Sequence, residues 1–233
     1  VSLSLVATAP DDEDWVAVAG YMIPDDYPSG WDAGGDPMPF VVASQDGGSN
    51  FTYAHPVTDT SQGTFMWSMA DMAISTKVGN IHNIALAGSG TDDPDCGDGT
   101  VFRLEAGTWL TGGWVDTRFY PGWNDATDAI TDWALYSYGI VAVDFSPNFD
   151  MDDTIVCMGV GYDPLTMPGP DNLPYLQEGT FDGDGAWNAE AGFSNAVEIT
   201  DEGTTLLTDT VVRSMGFALP ADFDGAQSAY NNI

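Results

Sequence analysis

The sequence predicts an all-β fold: four-stranded antiparallel sheets arranged as β-propeller blades, about three blades and the start of a fourth, forming part of a larger propeller. Three observations predict it. The apolar stretches are short, favour Val, Ile and aromatics, and are bounded by Gly, Pro and Asp. A strand–turn–strand pattern recurs about every 70 residues. Within each recurrence a second strand–turn–strand pair follows the first, which gives the four strands that a blade requires.

The first unit opens with LSLVATAPDDEDWVAVAGYM, a strand, Pro10, an acidic turn, then Trp15 to Ala19 and Gly20, and continues with FVVASQDGGSNFTYA. A degenerate second unit offers MADMAIST and NIALAGSG as its first two strands. The third unit is the clearest, with IVAVDFSPNFDMDDTIVCMGVGYD followed by YLQEGTFDGDGAWNAEA. In the fourth, VVRSMGFALPADFDGAQSAYNNI sets Pro220, Phe223 and Asp224 against Pro147, Phe149 and Asp150 with one inserted residue. With Pro10, Lys77, Pro147 and Pro220 as markers, the expected units are 1–68, 69–138, 139–210 and an incomplete 211–233. One short helix is expected, in WNDATDAITDWALYSY from Trp123, where Ala126, Ile130, Trp133 and Ala134 share a helical face.

Composition narrows the function. Thirty-six acidic residues against four Lys and Arg give a formal net charge of -32. Such a chain lacks the clustered cations that nucleic acid or an anionic membrane surface requires. Only Glu13, Glu105, Glu178, Glu190, Glu198 and Glu202 are glutamates, so the acid is mostly aspartate, a turn residue. Disorder is not expected, because 8 Trp, 9 Tyr and 11 Phe supply a core. No apolar run is long enough to span a membrane as a helix. VSLSLVATAP has neither a starting Met nor a basic n-region, so a mature product or a piece of a larger protein is expected, and YNNI stops where a second strand should begin. So acidic and Lys-poor a surface suits an extracellular, cation-rich setting.

Two turns carry a more specific pattern. Ser44-Gln-Asp46-Gly-Gly48-Ser-Asn-Phe51 and Thr180-Phe-Asp182-Gly-Asp184-Gly-Ala-Trp187 both fit Ser/Thr-x-Asp-x-Gly-x-x-Trp/Phe, the second with Asp in place of the usual Gly. Together with the SPNF turn, they resemble the BNR/Asp-box repeat β-propeller family, closest to its bacterial cell-surface, S-layer-type branch. The resemblance implies a non-enzymatic structural lattice component whose partners are identical or related copies, with a glycan-binding or sialidase-like module as the rival. It also implies that the boxes are structural turns on the blade rim. The residues alone give the same physical reading: a carboxylate accepts from backbone N–H groups of its own turn, and glycines take positive φ.

The remaining chemistry is sparse. A sialidase site needs three converging arginines, and Arg103, Arg118 and Arg213 are the only three, in stretches without the family's arginine signature. Calcium is the expected cofactor, because Asp150, Asp152 and Asp153 share one turn, and Asp92, Asp93, Asp95 and Asp98 another, as hard oxygen donors. Cys96 and Cys157, the two cysteines, are candidates for a disulfide. Asn50 heads an N-x-T sequon inside the first box. His55 and His82 stand apart from any zinc-ligand spacing and are read as packing or surface residues. Trp31, Trp109, Trp114 and Trp123 are available for stacking on sugars or for packing between blades.

Overall fold

The computed structural model describes residues 1–22, 37–51, 54–91, 98–106, 113–123, 136–162, 173–181, 185–188, 197–198, 200–201, 205–206 and 215–226. These residues are all-β, in antiparallel sheets. The first sheet is a meander of β1 (Ser2–Thr8), β2 (Val16–Met22), β3 (Met38–Ser44) and β4 (Ala54–Pro56). The second runs in the order β5 (Thr58–Asp59), β6 (Thr64–Ile74), β7 (His82–Thr91), β8 (Asp98–Ala106) and β9 (Val115–Asp116). The third joins β10 (Tyr136–Phe145), β11 (Thr154–Tyr162), β12 (Leu173–Thr180) and β13 (Ala186–Trp187), with β14 (Val197–Glu198) also on β12. A two-stranded pair, β15 (Thr200–Asp201) and β16 (Thr205–Leu206), completes the strands.

Two expected boundaries shift. The boundaries at 68/69 and 138/139 fall inside β6 and β10, because Thr58–Asp59 already pairs with the start of β6 and β10 begins at Tyr136. The helix expected around Ala126, Ile130, Trp133 and Ala134 lies outside the described residues; of its flanks, Trp123 lies in a turn and Tyr136 opens β10. Val, Ile and Tyr after Tyr136 favour the extended chain, where they pack on a pleated surface. Among the described residues helix appears as α1 (Phe149–Asp152), one turn within the β10–β11 connection, and as a 3-10 turn at Thr117–Phe119.

The repeat persists in the backbone. The β1–β2, β6–β7 and β10–β11 connections are closed by the same bond, from Ala9 N–H to the Trp15 carbonyl, from Ser75 to Asn83 and from Ser146 to Thr154, at 3.0, 2.9 and 2.9 Å. Five residues before each closing donor, a β-bulge inserts Ser4, Ala70 and Val141. The residue before each bulge pairs with glycine: Leu3 with Gly20, Met69 with Gly88, Ile140 with Gly159. This register places Thr76, rather than Lys77, opposite Pro10 and Pro147. In the fourth unit the Phe223 N–H bonds to the Pro220 carbonyl as Phe149 does to Ser146, so Pro220 takes the place of Ser146 and no inserted residue is needed.

Period-two alternation then sorts each sheet's side chains onto two faces. In β6, β7 and β8, Met72, Ile74, Ile84, Leu86, Phe102 and Leu104 turn back to meet Ala17, Ala19, Val41 and Ala43 of the first sheet. Ala73, Ala85, Ala87 and Val101 turn forward to meet Ile140, Val143, Phe145, Ile155, Cys157 and Tyr175 of the third. The forward face of the third sheet, Ala142, Val156, Met158 and Leu176, is met by Met215, Phe217, Leu219 and the buried Phe223. Large residues back and small residues forward explain why VAVAG and IALAG recur: the bulk of one sheet needs the smallness of its predecessor at native packing density.

Candidate functional site

Both box-like turns sit between the third and fourth strands of their sheets. In the first, the Asp46 carboxylate accepts from Asn50 Nδ2 at 2.6 Å, from Asn50 N–H at 2.8 Å and from the Ser44 hydroxyl at 2.8 Å, while Gly48 N–H donates to Ser44 Oγ at 3.0 Å. Gly47 and Gly48 have φ of 67° and 81°. The Asn50 bonds hold the Asp46 pKa below its ordinary value. Asn50 is exposed, with its side-chain amide committed to Asp46.

In the second box, Thr180 ends β12, Trp187 lies in β13, and Asp182 lies outside the described residues. Trp187 is wholly buried, donating from Nε1 to the Thr117 carbonyl at 2.9 Å and meeting Trp123 edge-on at 4.7 Å. Its counterpart Phe51 is 44% exposed. The difference is one of neighbours: Trp187 packs back onto Thr117 and Trp123 in the stretch that follows β9 of the second sheet.

The acidic turn at Asp150, Asp152 and Asp153 divides its side chains among separate partners. Asp152, buried, accepts from Ser146 Oγ at 2.6 Å, Thr154 N–H at 3.1 Å and Gly225 N–H at 2.9 Å. Burial raises its pKa. Asp153 adopts φ 49° and lies 3.9 Å from Arg103, and Asp150 is exposed. Among the described residues no three His, Cys, Asp or Glu side chains gather at metal-ligating distance. Asp92, Asp93 and Asp95 lie outside the described residues. So does Cys96, whereas Cys157 is a free thiol, wholly buried between the second and third sheets, and its pKa is pushed up by that burial.

The cations join elements. Arg103 of β8 donates from Nε to Asn83 Oδ1 at 2.9 Å, lies 3.5 Å from Glu105, and places its guanidinium 5.7 and 5.3 Å from the Phe149 and Phe181 ring centres of the third sheet. Arg118 lies 2.9 Å from the buried Asp116 carboxylate, which also accepts from Thr100 Oγ1 at 2.5 Å. Burial pushes the Asp116 pKa up against those bonds. Arg213 lies outside the described residues. Burial pushes Asp59 up too, but donations from Ser61, Asp116 and Gln62 outweigh it and leave its pKa lowered. His82 is wholly buried, packs tilted against Trp15 with ring centres 4.8 Å apart and donates from Nδ1 to the Ser75 carbonyl at 2.9 Å. Trp114 is buried, and Trp31 and Trp109 lie outside the described residues.

One concavity draws several elements together. Strands β1, β6 and β10 and residues 216–217 border a cavity of about 380 Å³, lined among others by Val6, Pro10, Asp71, Asp144 and Phe217. The Asp71 carboxylate accepts from Met72 N–H at 2.9 Å and, across the sheet interface, from Val143 N–H at 3.0 Å. Asp144 accepts from Phe145 N–H at 2.9 Å, and burial, with the nearby Asp71 charge, raises its pKa. Sequence reading passed over both residues, although a lone acid inside MADMAI or VAVDF is a visible signal. The arrangement offers carboxylates and an apolar wall, suited to holding a cationic or hydroxyl-rich group.

No family model matches the chain, and neither a curated protein nor a solved structure does. Among the described residues no helix is long and apolar enough to cross a membrane.

Proposed function

We propose that this chain is a run of Asp-box-type propeller blades in a non-enzymatic extracellular structural protein, a surface or envelope component that associates with copies of itself. The observation that carries this reading is the threefold recurrence of bulge and closing bond, with large-back, small-forward packing of the first two sheets, a unit built to dock on its own kind. The polar side chains support it, since Arg103, Asp71 and Asp152 each reach between elements of successive units. Calcium belongs to the proposal as the cation that lets surfaces of net charge -32 approach. The rival, a glycan-binding or sialidase-like module, draws on the cavity beside Asp71 and Asp144.

Electron microscopy of concentrated protein in calcium, in EDTA and in NaCl at matched ionic strength, beside a glycan array and a sialoside-hydrolysis assay, separates the readings. Ordered assemblies that EDTA disperses and NaCl fails to restore are expected, without glycan binding or hydrolysis. Recovery in NaCl would reduce calcium to a screening ion. A saturable glycan signal lost in Asp71→Asn would favour the rival.

A further inference from the structure

The first sheet carries a copy of the joint that holds the other sheets together, exposed among the described residues. Counting back from the closing donors, Val6 stands where Met72 and Val143 stand, and Leu3 where Met69 and Ile140 stand. Met72 and Val143 are buried against the preceding sheet. Val6 is 69% exposed and Leu3 66%, whereas the Val6 counterparts Met72 and Val143 are covered. At the other end of the described chain, the strand-like segment 215–219 turns Met215, Phe217 and Leu219 onto the third sheet and leaves Gly216 and Ala218 exposed, small residues on the forward side. One copy thus presents both halves of a joint. They border a common cavity without closing it.

We propose that the Leu3–Val6 face docks a second copy of this chain, head to tail, through the Gly216–Ala218 side of that copy's fourth unit. Electrostatics selects this occupant. In a chain of net charge -32, β1, β2, β3 and β4 contain no Asp, Glu, Lys or Arg, so this sheet is where an equally acidic copy approaches without carboxylate facing carboxylate. Continuity supplies the rest, because the two internal interfaces already join the same positions in the same order. Unlike a two-fold contact, such a head-to-tail joint leaves each copy with one further end to fill, so it builds rings or chains. The inference rests on the self-associating reading above and names its joint.

Sedimentation velocity over a wide concentration range, in calcium, tests it with Val6→Asp and Ala218→Glu. Both sites are exposed, and unchanged far-ultraviolet circular dichroism and melting confirm folding. Wild type is expected to associate, each variant to associate at least about tenfold more weakly, and their mixture to form a dimer, because Val6→Asp keeps an intact tail and Ala218→Glu an intact head. Leu3→Ser, which adds no charge, is expected to weaken association in the same direction. If wild type associates and Val6→Asp does so equally, or if the mixture gives no dimer, the joint lies elsewhere while the self-associating reading stands. If wild type remains monomeric throughout, both fall.

Discussion

Asp144 shows how much a single residue's role depends on its neighbours across the fold. Half-buried on the cavity wall and near Asp71, it is easier to protonate in the folded chain than in the unfolded one. The native state therefore holds the proton more tightly, and stability falls as pH rises from the ordinary aspartate value of 3.8 through the raised one. At neutral pH the charge opposes folding. Asp144→Asn, which keeps an acceptor for Phe145 N–H, is expected to raise the melting temperature at pH 7 and to lose that advantage at pH 3, as calorimetry at the two values will show. A lower melting temperature at pH 7 would mean that the charge is paired rather than opposed. Asp46 behaves in the opposite sense, its lowered pKa giving a contribution present above the ordinary value and lost in acid. Its role is legible in the sequence because Ser44, Gly48 and Asn50 all lie within four residues. The surroundings of Asp144 are not, because Asp71 lies on another sheet.

At the scale of the element, bulge and glycine form one device. The extra residue at Ser4, Ala70 or Val141 brings the bulged strand against its neighbour and sharpens its twist. A Cβ on Gly88 would run into the Ser68 carbonyl, as one on Gly20 would into that of Ser2. Gly88→Ala is accordingly expected to cost more than about 2 kcal/mol, by overpacking against backbone that cannot rotate away. Urea unfolding monitored by tryptophan fluorescence measures it, and a loss below about 0.5 kcal/mol would show that the bulge relaxes freely. The sequence announces the glycines and the closing turns. It does not announce the bulges, since one inserted residue leaves an apolar run looking unbroken and only the partner strand's register exposes it.

At the scale of the whole molecule, sheets are joined by apolar faces and by a few polar contacts that cross between them. Arg103 is the broadest of these, anchored on Asn83 in its own sheet while its guanidinium covers Phe149 and Phe181 in the next. A lysine supplies the charge but neither the planar stacking surface nor the fixed Nε–H. Arg103→Lys is expected to destabilise by about 2 kcal/mol, or roughly 4–8 °C in the melting temperature of a chain this size. Amide exchange should quicken first in β8 and in α1, and quickening confined to the first sheet would refute a stapling role.

What the sequence determined by itself was local: the all-β class, from short apolar runs between Gly, Pro and Asp; the recurrence near 70 residues; and the stapled turn at Asp46. Each follows from interactions between residues a few positions apart or from periodicity along the chain. Tertiary structure alone decided which face of each strand looks back and which forward, that Phe51 stays exposed while Trp187 is buried, and that Asp152 holds the fourth unit as well as its own turn. Those outcomes depend on which sheet stands beside which. Alternation along a strand specifies two faces but cannot say what will cover them.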